Sequence, residues 1–324
     1  MTSPLRILLV GAGSVGQVYG HHFQRGGAEV RFLVRPKYVA EGQQGYTLHR
    51  LGRRGAETLT FHPDQVCGAA AEAVRGGVDA VVLCMSYAGL KGGWFEELLG
   101  EAGDATIVSL VPGAGARCWL EDRVEPERLA HGMITLLAYP APMRGEALDA
   151  GTAFWFPPMS PCPFDGPRSR TEPLVQCLVR GGQPAKWRGD GAQPSDLATC
   201  MLMPLLAALE LEGWSFASLS QSPRLREACA AGRDALDVAF AGRGGPPSTA
   251  KWAMRPLVVR GVIRTARAMA PVDLEAFLQL HFTKVGAQTR LILAEWIEQG
   301  ETVGVDTGRL RTLYDGLMAI HGEE

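Results

Sequence analysis

Residues 5–16 read LRILLVGAGSVG, in which a run of apolar residues leads directly into a turn with three glycines. The apolar residues up to Val10 predict a buried strand, and Val18, Tyr19 and Phe23 predict the apolar face of a helix after the turn. A strand, a glycine-rich turn and a helix, in that order, form the arrangement that binds the pyrophosphate of a dinucleotide. We therefore expect a nucleotide cofactor on this turn.

The three glycines have the GxGxxG spacing of dinucleotide-binding turns, and each is expected to have its own role there. Gly11 allows the tight turn, Gly13 lets the backbone approach the phosphates, and Gly16 lets the helix pack closely on the strand. The first helical residues, Ser14 and Val15, present their backbone N–H groups at the positive end of the helix dipole, where an anion is stabilised. The motif thus predicts that these five residues bind the cofactor.

The end of the second predicted strand indicates the kind of dinucleotide. The strand Glu29–Val34 is followed by Arg35, Pro36 and Lys37. A protein that prefers NAD places an acidic residue here, on the ribose hydroxyls. A guanidinium instead binds a 2′-phosphate through charge-assisted, bidentate hydrogen bonds. We therefore predict NADP(H), bound by Arg35 and Lys37, and the alternative is a solvated arginine at a strand end.

The composition is that of a soluble globular protein with two domains. The chain has 324 residues, of which 46% are hydrophobic and 20% charged, and its net charge of −2 excludes a global basic surface for nucleic acid. No apolar run approaches the roughly 18 residues of a membrane helix, and no signal peptide is recognisable. The seven cysteines have no CxxC spacing, which argues against a metal site or a disulfide framework and indicates a cytoplasmic protein.

Further predicted strands alternate with helices, the pattern of a doubly wound parallel sheet. These strands are Tyr46–Leu51 (an edge strand), Asp79–Cys84, Ala105–Leu110 and Leu129–Tyr139 (a sixth strand). In such a sheet, ligands bind beyond the carboxyl ends of the strands. We therefore expect Ser86 and Pro112, which follow two of the strands, to line one crevice together with the glycine turn.

The pattern changes in the last third of the chain, because little after Ser195 alternates as a strand does. The segment before it contains a predicted loop at Met159–Arg170 and a short strand at Pro184–Arg188. The predicted fold class is therefore α/β. A Rossmann-type doubly wound sheet that binds NADP is expected over residues 1–190, and an all-α domain for substrate binding and dimerisation over residues 191–324.

Five segments spread over most of the chain carry a family resemblance. They are GAGSVGQVYG at 11–20, FLVRP ending at residue 36, VVLCMSYAGL at 81–90, VSLVPGAG at 108–115 and LMPLLAAL at 202–209. In these segments the chain resembles the ketopantoate reductase (2-dehydropantoate 2-reductase) family. The resemblance implies a Rossmann domain followed by a helical domain, NADPH as cofactor, and reduction of the ketone of a small 2-keto acid.

The catalytic residues of that family are not found at the matching positions. The family has an asparagine where this chain has Pro112, a lysine where it has Ser195, and a glutamate where it has Gln288. A lysine that usually follows the fourth strand is Ser86 here. The departures argue against ketopantoate as the substrate, because the ammonium that protonates the developing alkoxide is missing.

A replacement for the missing groups is expected near Gln288. Lys284 and His281 precede it by one and two helical turns on the same face. Since the resemblance places Gln288 at the cleft, we predict that Lys284 donates the proton and holds a substrate carboxylate, with His281 as an acid or orienting group. These three are the predicted catalytic residues.

The predicted activity is NADPH-dependent hydride transfer to a small keto acid or a related carbonyl or imine compound. Two alternatives stay open: an opine-type dehydrogenase that joins an amine to a keto acid, and a catalytically silent NADP(H)-binding sensor or partner protein. The glycine turn is compatible with all three functions, because it indicates that a dinucleotide binds but does not indicate which reaction follows. The expected partners are a small-molecule substrate and a second copy of the chain, without nucleic acid, membrane or metal ion.

Overall fold

The computed structural model of the chain describes residues 3–189, 194–242, 244–284 and 286–322. The chain divides into two compact units, Met1–Gln193 and Pro194–Glu324. The first unit contains the strands, and the described residues of the second form helices and their connections. The boundary expected from the sequence, after residue 190, lies within three residues of this division.

The described strands and helices alternate through the first unit. The strands are β1 Arg6–Val10, β2 Glu29–Leu33, β3 Tyr46–Gly52, β4 Gly55–Phe61, β5 Gln65–Cys67, β6 Ala80–Leu83, β7 Thr106–Ser109, β8 Leu129–Gly132, β9 Leu137–Ala141, β10 Gly151–Trp155, β11 Cys162–Asp165 and β12 Ala185–Trp187. The helices are α1 Ser14–Arg25, α2 Val39–Gln43, α3 Ala70–Ala73, α4 Tyr87–Leu90, α5 Gly93–Ala102, α6 Ala114–Glu121, α7 Arg168–Arg180, α8 Pro194–Leu211, α9 Phe216–Gln221, α10 Arg224–Ala239, α11 Ser248–Ala253, α12 Pro256–Met269, α13 Leu274–Lys284, α14 Gly286–Val303 and α15 Gly308–His321. Short 3-10 turns lie at Pro36–Tyr38 and Pro126–Arg128.

The main sheet of the first unit has eight strands in the order β12-β11-β8-β7-β6-β1-β2-β5. β1 lies between β2 and β6 and is parallel to both, so the winding direction reverses at this strand. β11 pairs antiparallel with β8, whereas the other neighbouring strands of the sheet are parallel. The predicted α/β class, a Rossmann-type sheet followed by a helical region, is confirmed.

Helix α1 packs against the main sheet and against a second sheet of four strands in the order β4-β3-β10-β9. A Cβ atom on Gly20 would lie 2.9 Å from the ring of Phe32 in the main sheet and 2.9 Å from the ring of Phe61 in the second. The absence of a side chain at Gly20 therefore allows the helix to approach both sheets. His22 of the same helix is buried, with its ring edge-on to Phe154 at 5.5 Å between ring centres.

The second sheet overturns two predictions about strands. Tyr46–Leu51 is not an edge strand, because β3 lies inside the second sheet, antiparallel to β4 and parallel to β10. Leu129–Tyr139 is not one strand, because β8 belongs to the main sheet and β9 to the second. The predicted loop Met159–Arg170 also contains a strand, β11, whose proline weakens the strand pattern. Local alternation does not reveal that β3 is an inner strand, since its second partner, β10, is about a hundred residues away in sequence.

Apolar side chains form one core on each face of the main sheet and a separate core in the helical unit. In β1, Ile7 and Leu9 belong to one face, and Leu8 and Val10 to the other. Burial on both faces explains the nearly continuous apolar run in the sequence. Of the described helices, none is both long and apolar enough to cross a membrane.

Candidate dinucleotide-binding site

The carboxyl ends of β1, β2, β6 and β7 lie at one edge of the main sheet, because these strands are parallel. Backbone hydrogen bonds continue just beyond the strands. The Cys84 N–H donates to the Val10 carbonyl (3.0 Å), and the Leu110 N–H donates to the Leu83 carbonyl (3.2 Å). The glycine turn after β1 therefore lies beside the segment after β6, at the reversal point where doubly wound sheets bind ligands.

The fold itself requires two glycines of the turn, whether or not a ligand binds. Gly11 has a φ of +96°, a conformation that residues with a side chain rarely adopt. A Cβ atom on Gly16 would overlap the carbonyl oxygen of Gly11 and would lie 3.4 Å from the Cβ of Cys84. Gly11 and Gly16 thus have the geometry expected of a tight turn and of a helix packed closely on the end of β1.

Gly13 is different, because nothing in the described protein requires a glycine there. Its φ of −71° and ψ of 178° are open to any residue, and a Cβ atom on it would have no neighbour within 4 Å. The residue is exposed and immediately precedes α1. The absence of a side chain at Gly13 leaves the backbone in front of the helix accessible to a ligand.

The N-terminus of α1 carries no competing anion. The helix has 12 residues, no side chain caps it, and no acidic residue lies in its first turn. Gln17 braces the preceding turn, since its Nε2 donates to the Ala12 carbonyl (2.8 Å) while its Oε1 accepts from the Thr152 hydroxyl (2.7 Å). The N–H groups of Ser14 and Val15 begin this helix, so the positive end of its dipole lies at the sheet edge.

Two exposed cations, Arg35 and Lys37, follow β2 at the same edge. The chain turns there, and the Tyr38 N–H donates to the Arg35 carbonyl (2.8 Å). The guanidinium carbon of Arg35 lies 5.8 Å, and the Nζ of Lys37 4.8 Å, from the centre of the Tyr38 ring. Within the part of the chain that the structure describes, no carboxylate pairs with either cation. Both positive charges are therefore available to a phosphate.

Ser86 and Pro112 follow β6 and β7 at this edge, and both are exposed. Ser86 precedes α4, while Pro112 precedes Gly113, which has a φ of +104°. Proline has no N–H and no polar side-chain group, so residue 112 offers a ligand no hydrogen-bond donor. Burial raises the pKa of the Cys84 thiol, which keeps a neutral sulfur next to the glycine turn.

The predicted catalytic residues belong to the helical unit, where the structure describes them in part. His281 is exposed on α13, and its ring stacks on Phe277 with 5.8 Å between ring centres. Lys284 is the last residue of α13, and its side chain lies outside the described residues, as does that of Ser195 on α8. Gln288 is partly buried on α14. The catalytic roles of His281, Lys284 and Gln288 stay predictions.

Sequence reasoning did not identify Gln17, Thr152 and Tyr38 as parts of this site. Tyr38 has a usable signal, because an aromatic residue close to two cations in a short turn favours contact between them. Gln17 and Thr152 have none, since their hydrogen bond joins residues 135 positions apart.

Comparison with known proteins finds a family model that is similar to most of the first unit. Residues 7–147 match the family model described as ketopantoate reductase PanE/ApbA. Over these residues the chain is similar to the ketopantoate reductase family. The matched range contains the glycine turn, the Arg35 turn and the segments after β6 and β7.

Solved structures with the same fold cover nearly the whole chain. A 2-dehydropantoate 2-reductase from Geobacter metallireducens is 19% identical, with 98% of this chain and 100% of that chain covered and a TM-score of 0.72. A probable 2-dehydropantoate 2-reductase from Bacillus subtilis is 16% identical, with 98% and 100% covered and a TM-score of 0.69. A D-mandelate dehydrogenase solved with NADH and anilino(oxo)acetate is 15% identical, with 97% and 97% covered and a TM-score of 0.65. No curated protein matches the chain.

Proposed function

We propose that this chain is an NADPH-dependent reductase of the ketopantoate reductase type, which transfers a hydride to a small keto acid or a related carbonyl or imine compound. The family match over residues 7–147 supports reductase chemistry. A nicotinamide cofactor is also supported by the D-mandelate dehydrogenase of the same fold, which was solved with NADH.

The observation that carries the proposal is the empty space at Gly13. Neither backbone conformation nor packing requires a glycine there, since its φ is −71° and a Cβ atom would meet nothing within 4 Å. A pyrophosphate that lies against the backbone at the start of α1 does require it. The residues present therefore fit a dinucleotide, held by Gly11–Gly16 and by the first N–H groups of α1.

The cations after β2 support NADP(H) over NAD(H). Arg35 and Lys37 take the place at which an acidic residue would bind the ribose hydroxyls, and no described carboxylate neutralises them. A hydrogen bond to a charged group contributes roughly 1.5–3 kcal/mol, which is enough to make NADPH the preferred cofactor by one to two orders of magnitude.

The chain itself has to supply a proton and to hold the substrate, whereas a bound nicotinamide supplies the hydride. We assign the proton to the Lys284 ammonium, which also pairs with a substrate carboxylate, and we assign an acid or orienting role to His281 beside Gln288. Pro112 cannot donate a hydrogen bond to a substrate carbonyl. We therefore propose a substrate other than, or in addition to, ketopantoate.

The test is NADPH oxidation by the purified chain with a panel of carbonyl compounds. The panel contains ketopantoate, phenylglyoxylate and other 2-keto acids, aldehydes, and keto acids mixed with amines. We expect turnover of at least one 2-keto acid and a loss of about 100-fold in kcat for Lys284→Ala. Arg264→Ala, which removes an exposed cation of α12, is the matched control. A Lys284→Ala variant with the wild-type rate would remove Lys284 from the mechanism.

A catalytically silent NADP(H)-binding protein is the second candidate, favoured by Pro112 and Ser86 at positions where the family resemblance implies asparagine and lysine. This candidate predicts NADPH binding without oxidation across the whole panel. Turnover confined to the mixtures with amines would instead support an opine-type dehydrogenase.

We also infer a cytoplasmic location. None of the seven cysteines, all of which lie within the described ranges, forms a disulfide. Reduced thiols are the normal state in that compartment. Dimerisation through the helical domain stays a prediction, which sedimentation analysis of the purified chain would test.

A further inference from the structure

The ring of Tyr38 contacts both cations at the end of β2. The ring is partly open to solvent, with 42% of the residue exposed, and it has Lys37 at 4.8 Å and Arg35 at 5.8 Å from its centre. The turn that carries it is well anchored. Besides the hydrogen bond from Tyr38 N–H to the Arg35 carbonyl, a Cβ atom on Gly68 would lie 3.5 Å from the Cα of Pro36, so the turn packs closely on the loop after β5.

We propose that Tyr38 is a positioning residue that holds Arg35 and Lys37 together for one phosphate monoester, the 2′-phosphate of NADP(H), and thereby sets the preference for NADPH over NADH. The inference rests on the proposed function, because it assigns to Tyr38 a part in cofactor selection at the same site.

Before any ligand is bound, Arg35 and Lys37 are two like charges close to one aromatic ring. Arg35 and Lys37 repel each other, and their long side chains have many rotamers. The negative face of an aromatic ring attracts both kinds of cation. Tyr38 therefore offsets part of the repulsion and limits the positions of both charges. A phosphate that binds both cations then loses less free energy in ordering them, which is the general advantage of preorganisation.

A different role for the ring would be stacking on the adenine base. Adenine is present in NADPH and in NADH, so stacking would contribute equally to the binding of both. Positioning of Arg35 and Lys37 contributes only to the cofactor that carries the 2′-phosphate. The ratio of the two affinities therefore separates the two roles.

The experiment measures the Kd of NADPH and of NADH by calorimetric titration of the full chain at one fixed ionic strength. Tyr38→Leu removes the ring but keeps an apolar side chain, Tyr38→Phe keeps the ring and removes the hydroxyl, and Arg35→Ala removes one cation. We expect Tyr38→Leu to weaken NADPH binding about fivefold and to leave NADH binding unchanged. Tyr38→Phe should keep both affinities within about twofold of the wild type, because the ring face is retained.

Each other result has a definite meaning. Equal weakening of NADPH and NADH by Tyr38→Leu overturns the proposal in favour of adenine stacking, and unchanged affinities overturn it outright. A Tyr38→Phe variant as weak as Tyr38→Leu also overturns it, because the hydroxyl and not the ring would then be responsible. Arg35→Ala tests the proposed function separately: if it leaves the NADPH to NADH ratio unchanged, the NADP assignment fails whatever the Tyr38 variants do.

Discussion

Gly11, Gly13 and Gly16 lie in one turn, but their backbones are constrained in different ways. Gly11 has a φ of +96°, and a Cβ atom on Gly16 would overlap the Gly11 carbonyl oxygen, so a side chain at either residue strains the folded chain. Gly13 has neither constraint. At the residue scale, Gly13 is therefore the position at which an added side chain should hinder cofactor binding without disturbing the fold.

Gly13→Ala and Gly16→Ala form a matched pair of variants within the same turn. We expect Gly13→Ala to change the free energy of unfolding by less than about 1 kcal/mol, because a small loss of helix capping and a gain in unfolded-state rigidity oppose each other. The same variant should weaken NADPH and NADH alike by at least about tenfold, because its methyl group occupies the space required by the shared pyrophosphate. Gly16→Ala should destabilise the fold by about 2 kcal/mol.

Urea unfolding and cofactor titration of the two variants give these quantities directly. Normal binding by a folded Gly13→Ala variant would show that no dinucleotide approaches the backbone there, and the proposed function would lose its main support.

Helix α1 connects the glycine turn to both sheets of the first unit, and its middle contains a buried histidine. His22 is 3% exposed, its ring is edge-on to Phe154 and Phe156, and its Nδ1–H donates to the Val18 carbonyl (2.7 Å). Burial lowers the pKa of His22 to about 4, and the nearby His21, Arg25 and Arg50 act in the same direction. At the element scale, the packing of α1 between the sheets thus depends on a neutral imidazole.

The buried histidine predicts a pH dependence of stability. In the unfolded chain His22 binds a proton below about pH 6.5, but in the folded chain only below its pKa of about 4. The unfolded state therefore binds more protons between these values, and the free energy of unfolding falls as the pH decreases from about 6.5 to about 4, by up to about 3 kcal/mol. Burial likewise lowers the pKa of His131, to about 3, so part of the slope has a second source.

Urea unfolding of the wild type and of His22→Leu at several pH values across this window tests the assignment. In His22→Leu, the difference in bound protons between the unfolded and folded states should be smaller by close to one proton, so the free energy of unfolding should depend less on pH. The part of the pH dependence that comes from His131 should remain. An identical pH slope in the two proteins would show that His22 is not responsible.

The two compact units have separate cores, and the predicted nucleotide site belongs to the first of them. The turn at Gly11–Gly16, the cations after β2, and the segments after β6 and β7 all lie within residues 1–193. The core of the helical unit is built from residues such as Leu225 and Leu236 of α10, both fully buried. At the scale of the whole molecule, stability of the helical unit and affinity for the cofactor should therefore vary independently.

Leu236→Ala tests this independence. Removal of a fully buried leucine typically costs about 2–5 kcal/mol, so the variant should unfold at clearly lower urea concentration or temperature than the wild type. Its Kd for NADPH, measured below the unfolding transition, should stay within about twofold of the wild-type value. Leu257→Ala on α12, where the leucine is 79% exposed, is the matched control and should leave stability nearly unchanged. A parallel loss of NADPH affinity in Leu236→Ala would contradict the prediction.

Short-range sequence pattern was sufficient to predict the fold class and the segments that lie at one edge of the main sheet. The run at 5–16 contains a strand, a turn and a helix start in contiguous residues, and Arg35 follows the next strand directly. The structure joins these nearby segments through local pairing, such as the hydrogen bond from Gly11 N–H to the Leu33 carbonyl (3.0 Å). The parallel sheet then brings Ser86 and Pro112 to the same edge, because the carboxyl ends of its strands coincide there.

Long-range pairing set the features that the sequence does not reveal. β3 belongs to the second sheet because it pairs with β10, about a hundred residues away, and Gln17 is braced by Thr152 from the same strand. Periodicity and motif spacing report on neighbours along the chain, whereas these contacts join groups that are close in space alone. Local sequence pattern therefore could not predict that β3 pairs with β10 or that Gln17 accepts a hydrogen bond from Thr152.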